Sequence, residues 1–547
     1  MKTLAEAYQQ FDLTRLIEEQ LVGHPQAINA YVECCERYVG KNKTALIWEG
    51  KNGQAEYYTF EQLAELSGKL ANFFKAQGIQ AGDCIAGLLP RTPELLITIL
   101  ATWRIGAIYQ PLFTAFEAKS IDHRITTAQT KLIVTNDEQR PKLNTLNIPV
   151  IVTVHQTGPL SEHDFDFWQS LQRYSEQCES VSRNFDDDFL MMFTSGTTGL
   201  AKSVPVPLKA ILAFKGYMTH AVDLREEDMF WNLADPGWAY GLYYGITGPL
   251  SLGHSIIMDE RSFNVDQAIE LIKKYKVSNL TGSPTAFRMF FGFKEKFDPS
   301  IKQHLRVVSS AGEPLTPEVV NWFKQDLEVN IFDQYGQTEL GMVIANHHAL
   351  EHPLKVGSAG FAIPGHRFAV LDQNYQELPT GGVGILAMDS EQSPLMWFKG
   401  YGGNNLKSFV GKYYLTGDTV TLNEHEGIDF VGRADDVITT SGYRVGPFDV
   451  ESTLLECEAV LESAVIGKPD PERTEIVKAF VVLKPAYQAC ETLKDKLQQY
   501  VRNRLSRHAY PKEIEFVDSL PKTTSGKIQR GLLKQQEIAK MQQAYAS

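Results

Sequence analysis

One stretch, Phe193-Thr194-Ser195-Gly196-Thr197-Thr198-Gly199-Leu200-Ala201-Lys202-Ser203, sets the hydroxyls of Thr194, Ser195, Thr197 and Thr198 beside two glycines and Lys202. These residue types suit a polyphosphate. Glycines let backbone N–H groups approach an anion, hydroxyls donate further hydrogen bonds, and a lysine supplies a point charge for the outer phosphates. The apolar run Phe189-Leu190-Met191-Met192 just before it predicts a buried strand. Gly196 to Ser203 fits G-x-x-x-x-G-K-[ST] except at Ala201. A P-loop must open into a helix, whereas Val204-Pro205-Val206-Pro207 removes two N–H donors and predicts extended chain. The plain alternative is a solvated Ser/Thr/Gly turn.

A second set is Ser309-Ser310-Ala311-Gly312-Glu313-Pro314 with Asp333-Gln334-Tyr335-Gly336-Gln337-Thr338-Glu339-Leu340-Gly341. Read plainly, it is a strand end, a turn and a polar loop. Chemically, Tyr335 offers a flat face for a purine, Thr338 a donor to phosphate, and Glu339 a hard oxygen ligand for Mg²⁺. A third set is Thr416-Gly417-Asp418, Gly432-Arg433-Ala434-Asp435-Asp436 and Ser441-Gly442-Tyr443-Arg444. The Asp418 carboxylate can accept both hydroxyls of a ribose, and Arg433 can join it on the sugar. The fourth, Pro521-Lys522-Thr523-Thr524-Ser525-Gly526-Lys527-Ile528-Gln529-Arg530, is a cationic tail of the kind that usually forms a solvated face. His348 and His352 could share a helical face as metal ligands. With no H-E-x-x-H pattern, Pro353 adjacent and no third ligand, they read as loop or surface residues.

These groups, in this order, resemble the motifs of the adenylate-forming enzymes, which include acyl-CoA synthetases, luciferases and peptide-synthetase adenylation domains. The family's phosphate loop reads T-S-G-T-T-G-x-P-K-G; this chain departs from it at Ala201 and Ser203 and keeps Lys202. The patterns T-G-D, G-R-x-D-D-x-I, G-Y-R and P-K-T-x-S-G-K-x-x-R are matched residue for residue. The likeness runs from about Leu63 to Arg530 and is nearest to acetyl- and medium-chain acyl-CoA synthetases, through Ala311-Gly312-Glu313-Pro314, Tyr335-Gly336-Gln337-Thr338-Glu339 and Ser441-Gly442-Tyr443-Arg444.

The resemblance implies ATP, Mg²⁺ and coenzyme A as cofactors and a carboxylic acid as substrate. Residues 194–199 with Lys202 would hold phosphates; Gly312, Glu313, Pro314 and Asp333 to Tyr335 would hold adenine; Gly336, Gln337 and Thr338 complete the nucleotide site. Glu339 would hold the metal, Asp418 and Arg433 the ribose, and Asp435 would be the hinge about which a small domain turns. Lys527 would be the catalytic lysine, bridging the acid and the α-phosphate. Arg473, Arg502 and Tyr510-Pro511-Lys512 would meet coenzyme A, with Ser441, Gly442, Tyr443 and Arg444 along its pantetheine path. Acetyl-specific relatives carry tryptophan where this chain has Gly336, so the acid should exceed acetate. Trp238 is a matched pocket residue, and Tyr240, Tyr243 and Tyr244 suggest an aromatic, partly polar lining. A ligase that loads a carrier protein and a non-catalytic acyl or nucleotide sensor stay open as alternatives.

Positioning such groups takes several elements. Strand-helix-strand units from Ile85 onward predict an α/β (mixed) fold of helix-covered sheets, and the glycine-rich short strands after about 355 predict a β-rich subdomain. The polar turn at Gly432-Arg433 divides a large domain, 1–432, from a small mobile α+β domain, 433–547. A net charge of -13 argues against nucleic-acid binding. The six cysteines show no C-x-x-C spacing, which predicts reduced thiols and no zinc site. No apolar run reaches the roughly 20 residues of a membrane helix, and the first residues lack a signal-peptide core, so a cytoplasmic protein is expected. Assembly into a homo-oligomer stays open.

Overall fold

The computed structural model describes residues 2–155, 160–194, 201–313, 315–402, 406–433, 436–440, 443–470, 474–505, 509–522 and 528–546. The fold is mixed α/β. A first sheet contains β1 (Cys84–Leu88), β2 (Ile108–Pro111), β3 (Leu132–Asn136), β4 (Val150–Val154), β5 (Phe165–Asp166), β6 (Asp188–Thr194) and β7 (Lys202–Pro207), in the order β7-β6-β2-β1-β3-β4-β5. Only the β6–β7 pair is antiparallel. The strands that pack helices on both faces read as continuous aliphatic runs such as Leu132-Ile133-Val134, as buried parallel strands do. Lys202 lies opposite Thr194, so the chain doubles back after the phosphate stretch. β7 is an edge strand, which is why it accommodates Pro205 and Pro207: one side of it needs no N–H donors.

The second sheet runs β8 (Phe230–Asn232), β9 (Asn279–Gly282), β10 (Val307–Ala311), β11 (Ile331–Gln337), β12 (Gly341–Ala345) and β13 (Phe361–Ala362) in spatial order, parallel from β8 to β11 and antiparallel beyond. Helix α1 (Ala210–His220), buried from Ala210 to Met218, packs against β12. A third, antiparallel sheet holds β14 (Phe368–Leu371), β15 (Val383–Asp389), β16 (Phe409–Val410), β17 (Tyr413–Leu422) and β18 (Ile428–Arg433).

β18 ends at Arg433, and after residue 437 the small domain begins: β19 (Ile438–Thr440), β20 (Tyr443–Val445), α2 (Pro447–Leu455), β21 (Val460–Asp470), β22 (Thr474–Leu483), α3 (Glu491–Arg504), β23 (Glu513–Phe516) and α4 (Arg530–Ala546). It has its own core, built on Ile438, Val450, Leu454, Val465, Val477, Val481, Leu497 and Val501. α2 starts at Pro447, because a proline fits a first helical turn. All six cysteines are free; Cys34, Cys35, Cys84 and Cys178 are buried, Cys457 is half-buried and Cys490 is exposed at the start of α3. No helix among the described residues is long and apolar enough to cross a membrane.

Candidate functional site

Thr338 and Glu339 sit in the tight turn between β11 and β12. Two adjacent tyrosines from a π-helical turn, Tyr243–Thr247, hold that turn at both ends. The Tyr243 hydroxyl donates to the Thr338 carbonyl at 3.0 Å, and the Met342 N–H donates to Tyr244 Oη at 2.6 Å. Gly341 takes φ +69°, and a Cβ there would meet Tyr244 Oη at 2.5 Å. Tyr243 and Tyr244 are each 1% exposed, so they are not the pocket lining that the sequence suggested; they are spent on shaping the turn.

Gly336 likewise has a structural reason. A Cβ at 336 would lie 2.1 Å from the Gly341 carbonyl oxygen and 2.6 Å from Met342 Cα, because a bulge at Tyr335/Gly336 brings β12 close. The side-chain direction is filled by main chain, so the glycine permits close strand approach and does not of itself open a cavity.

The ribose candidates converge. Asp418, 3% exposed on β17, accepts from the Tyr335 hydroxyl, from Gln337 Nε2 at 2.9 Å and from Arg433 Nη1 at 3.2 Å. Burial and the neighbouring Asp418 charge hold the Tyr335 phenol well above its ordinary pKa, so it stays a donor. Tyr414 donates to Gln337 Oε1 at 3.2 Å, continuing the network toward Tyr401. The Tyr401 hydroxyl donates to Glu339 Oε1 at 2.5 Å, and Lys202 Nζ stands 4.7 Å over the same ring. The Gly402 N–H donates to the Ser203 carbonyl at 3.1 Å, and a His123 ring nitrogen lies 2.8 Å from the Ala201 carbonyl. Lys202, Glu339, Gln337, Tyr335, Asp418 and Arg433 therefore share one neighbourhood. Tyr401, Tyr414 and His123 were missed by the sequence reading. Tyr401 stands in an unremarkable Phe398-Lys399-Gly400-Tyr401, and only tertiary packing brings it to the site.

Earlier on β11, on the same face as Tyr335, Asp333 accepts from the N–H groups of Leu315 and Gln334 at 3.2 and 3.1 Å. Desolvation outweighs these bonds and pushes its carboxyl up to about 7. A carboxyl whose folded pKa is raised stabilises the fold most below its unfolded value, near 4, and that contribution is lost as pH rises through 7. Thermal unfolding of the wild type measured against Asp333→Asn should therefore shift downward between pH 6 and 8; a constant difference would refute this. Glu313 is paired with Arg288 at 3.1 Å, and Gly312 is exposed beside it.

In the small domain, Arg502 and Lys512 both stand over the Tyr510 ring, at 5.6 and 4.2 Å, next to buried Pro511. Lys522 bridges to Ile528, fixing both ends of the segment that carries Lys527. Arg530 pairs with Glu451 at 2.6 Å and lies 3.9 Å from Asp436. Burial opposes the Arg530 charge, but Glu451, Asp436 and, from the adenine candidates, Glu313 outweigh it. Ser195, Gly196, Thr197, Thr198, Gly199, Pro314, Asp435, Ser441, Gly442, Arg473 and Lys527 lie outside the described residues, as do the side chains of Tyr443 and Arg444.

Trp238 is half-buried against Phe113 and Phe116, at 5.2 and 5.5 Å between ring centroids. His348 lies in the loop after β12, as the sequence predicts, but is buried there, stacked 4.3 Å from Phe332, with a ring nitrogen 2.9 Å from the Val308 carbonyl. Among the described residues no group of three His, Cys, Asp or Glu side chains could hold a metal. Glu339 beside the phosphate lysine still fits Mg²⁺, which takes one or two carboxylates and fills its shell with water and phosphate oxygens.

The family described as AMP-binding enzyme matches residues 35–401, and its C-terminal domain matches 449–527. The chain is 35% identical to the acetyl-coenzyme A synthetase of Bacillus subtilis, over 98% of this chain and 96% of that one. It is 34% identical to the rat mitochondrial acyl-coenzyme A synthetase ACSM4, over 90% and 86%. A crystal structure of a Brucella canis acyl-CoA synthetase superposes with a TM-score of 0.80 at 51% identity, covering 99% of this chain and all of that one. With two family domains in order and relatives matched along nearly its whole length, the chain belongs to the AMP-binding enzyme family.

Proposed function

We propose that the protein is an AMP-forming acyl-CoA synthetase. It joins a carboxylic acid to coenzyme A at the expense of ATP, and the acid is a medium-chain, branched or aryl one. The observation that carries this reading is the junction of Lys202, Glu339, Asp418 and Arg433, distant in sequence, in one network with a phosphate end and a ribose end. In the first half-reaction the acid's carboxylate oxygen attacks the α-phosphate, the bond to the β-phosphate oxygen breaks, and acyl-adenylate and pyrophosphate form. Lys202 steadies the outer phosphates, Asp418 and Arg433 fix the ribose, and Tyr335, Gln337 and Tyr401 hold the carboxylates still. Glu339 with Thr338 would hold Mg²⁺, which neutralises phosphate charge when bound. In the second half the small domain, turning at Asp435, presents Arg502, Tyr510 and Lys512 to coenzyme A. The thiol then attacks the acyl carbon and AMP leaves.

The acid larger than acetate rests on the absence of the tryptophan that acetyl-specific relatives carry at 336, not on space beside Gly336, which β12 fills. A tryptophan at 336 would have to displace β12, so closure of the pocket in the manner of acetyl-specific relatives is not open to this backbone.

The test is coenzyme-A-dependent release of AMP over acetate, butyrate, hexanoate, octanoate, 2-methylbutyrate and benzoate. AMP, pyrophosphate and a stoichiometric thioester are expected; ADP, or an adenylate that forms with no thioester, would exclude the reading. Tyr401→Phe, which keeps the ring over Lys202 and removes the donor to Glu339, should raise the Mg²⁺ needed for half-maximal ATP binding by about 10-fold, in line with one lost charge-assisted hydrogen bond. Calorimetric ATP binding at varied Mg²⁺ reads this directly, and an unchanged midpoint would count against a positioning role for Tyr401.

A further inference from the structure

The helix Ala118–Ala128 lies against β7 and sets two neighbouring side chains, His123 and Arg124, on the stem of the phosphate loop. The stem is the β6–β7 pair, in which Thr194 faces Lys202 and Phe193 faces Ser203. On its first limb the His123 ring meets the Phe193 ring edge-on, 6.3 Å between centroids, and the Arg124 guanidinium stands 5.7 Å over the same ring. On its second limb His123 Nε2 lies 2.8 Å from the Ala201 carbonyl. A carbonyl only accepts, so Nε2 carries the proton and donates, in the neutral ring and the imidazolium alike.

That bond falls just outside the ladder. Lys202 is the first residue of β7, and Ala201 stands immediately before it. The family's phosphate loop has proline where this chain has Ala201. A proline ring locks its own φ and keeps the residue before it out of the helical region, so the main chain entering the strand is set from within. Alanine does neither. The His123 N–H restrains the same stretch from outside, and the carbonyl it holds belongs to the planar peptide that joins Ala201 to Lys202. Fixing that plane fixes where the Lys202 side chain starts. Its Nζ then stands 4.7 Å over the Tyr401 ring, and the Tyr401 hydroxyl donates to Glu339.

We infer that His123 is a positioning residue for the outer phosphates of ATP. By holding the Ala201–Lys202 peptide it aims the Lys202 ammonium, and so does for this loop what a proline ring does in the family's. This rests on the acyl-CoA synthetase reading for the nucleotide that Lys202 meets, and adds to it the residue that aims the lysine. His123 acts through Lys202 and not on a reacting atom. AMP has no outer phosphates, so a misaimed Lys202 weakens ATP and spares AMP.

Calorimetric binding of Mg·ATP and of AMP to the full chain tests this. His123→Ala should weaken Mg·ATP by about 10-fold, the upper end for one lost hydrogen bond, and leave AMP within about twofold. His123→Phe, which keeps the ring against Phe193 and removes the donor, should show the same loss and serves if the alanine variant fails to fold. Ala201→Pro added to His123→Ala should return Mg·ATP binding to within about threefold of the wild type, because the ring restores the restraint. Beside Lys202→Met the His123→Ala loss should vanish, since there is no ammonium left to aim. Equal losses for ATP and AMP, an unmoved ATP affinity, a proline that recovers nothing, or a loss that persists in full beside Lys202→Met each overturns the inference. AMP and thioester release by the wild type leaves the synthetase reading standing in all of these cases. A wild type that binds no Mg·ATP overturns both.

Discussion

Lys527→Ala is expected to slow acyl-adenylate formation by at least about 100-fold, the usual cost of removing one donor aimed at developing transition-state charge. Conversion of supplied acyl-adenylate to thioester stays within about threefold of the wild type. The asymmetry follows from the two half-reactions. Charge accumulates on the α-phosphate only in the first, and the Lys527 ammonium proposed to lie between the acid and that phosphate would act only there. The described residues on either side are well held: Lys522 bridges to Ile528, and Arg530 is locked to Glu451 beside Asp436 while feeling Glu313 of the large domain. Measuring pyrophosphate release and thioester formation separately decides it. Equal losses in both halves would mean that the substitution disturbs the domain and not one step.

Gly336→Ala should cost about 3 kcal/mol of stability, the upper end for overpacking, and about 100-fold in kcat/KM for ATP. The new Cβ would meet main-chain atoms of Gly341 and Met342, which no rotamer change can move aside. β12 must shift, and with it the turn carrying Thr338 and Glu339, which Tyr243 and Tyr244 grip from behind. A displacement of that turn separates Glu339 from Tyr401 and Lys202, so the loss falls on ATP more than on coenzyme A. Denaturant unfolding with steady-state kinetics tests both parts. A variant of wild-type stability and ATP affinity would show that β12 yields freely.

What could be read from the sequence was chemistry fixed by local rules. Pro205 and Pro207 forbid a helix after Lys202, and the chain there is the edge strand β7. Asp418 and Arg433 were named as ribose partners, and the structure places them 3.2 Å apart. What could not be read depends on which strands become neighbours. Tyr401 carries no local sign of its contact with Glu339. The tyrosines at 243 and 244 looked like pocket lining because aromatic residues near a site look alike whether they face a ligand or a turn. His348 was read as a loop residue, but its burial was not legible, because spacing says nothing of the Phe332 ring it stacks on. The glycine at 336 was read for the volume it leaves empty, whereas its reason is a strand bulge visible only when β11 and β12 are paired.

The distribution of thiols has a practical consequence. Cys490 alone is exposed, on the small domain. Burial pushes the Cys84 thiol up to about 12 and Cys457 up to about 11, and raises Cys34 and Cys35 further, so all four are poor nucleophiles at neutral pH. A maleimide fluorophore added to the unaltered protein should therefore label one position, at the start of α3, beyond the proposed pivot. Its anisotropy or emission, followed through a single turnover, would time the swing of the small domain between adenylate formation and thiol attack without engineering a single residue.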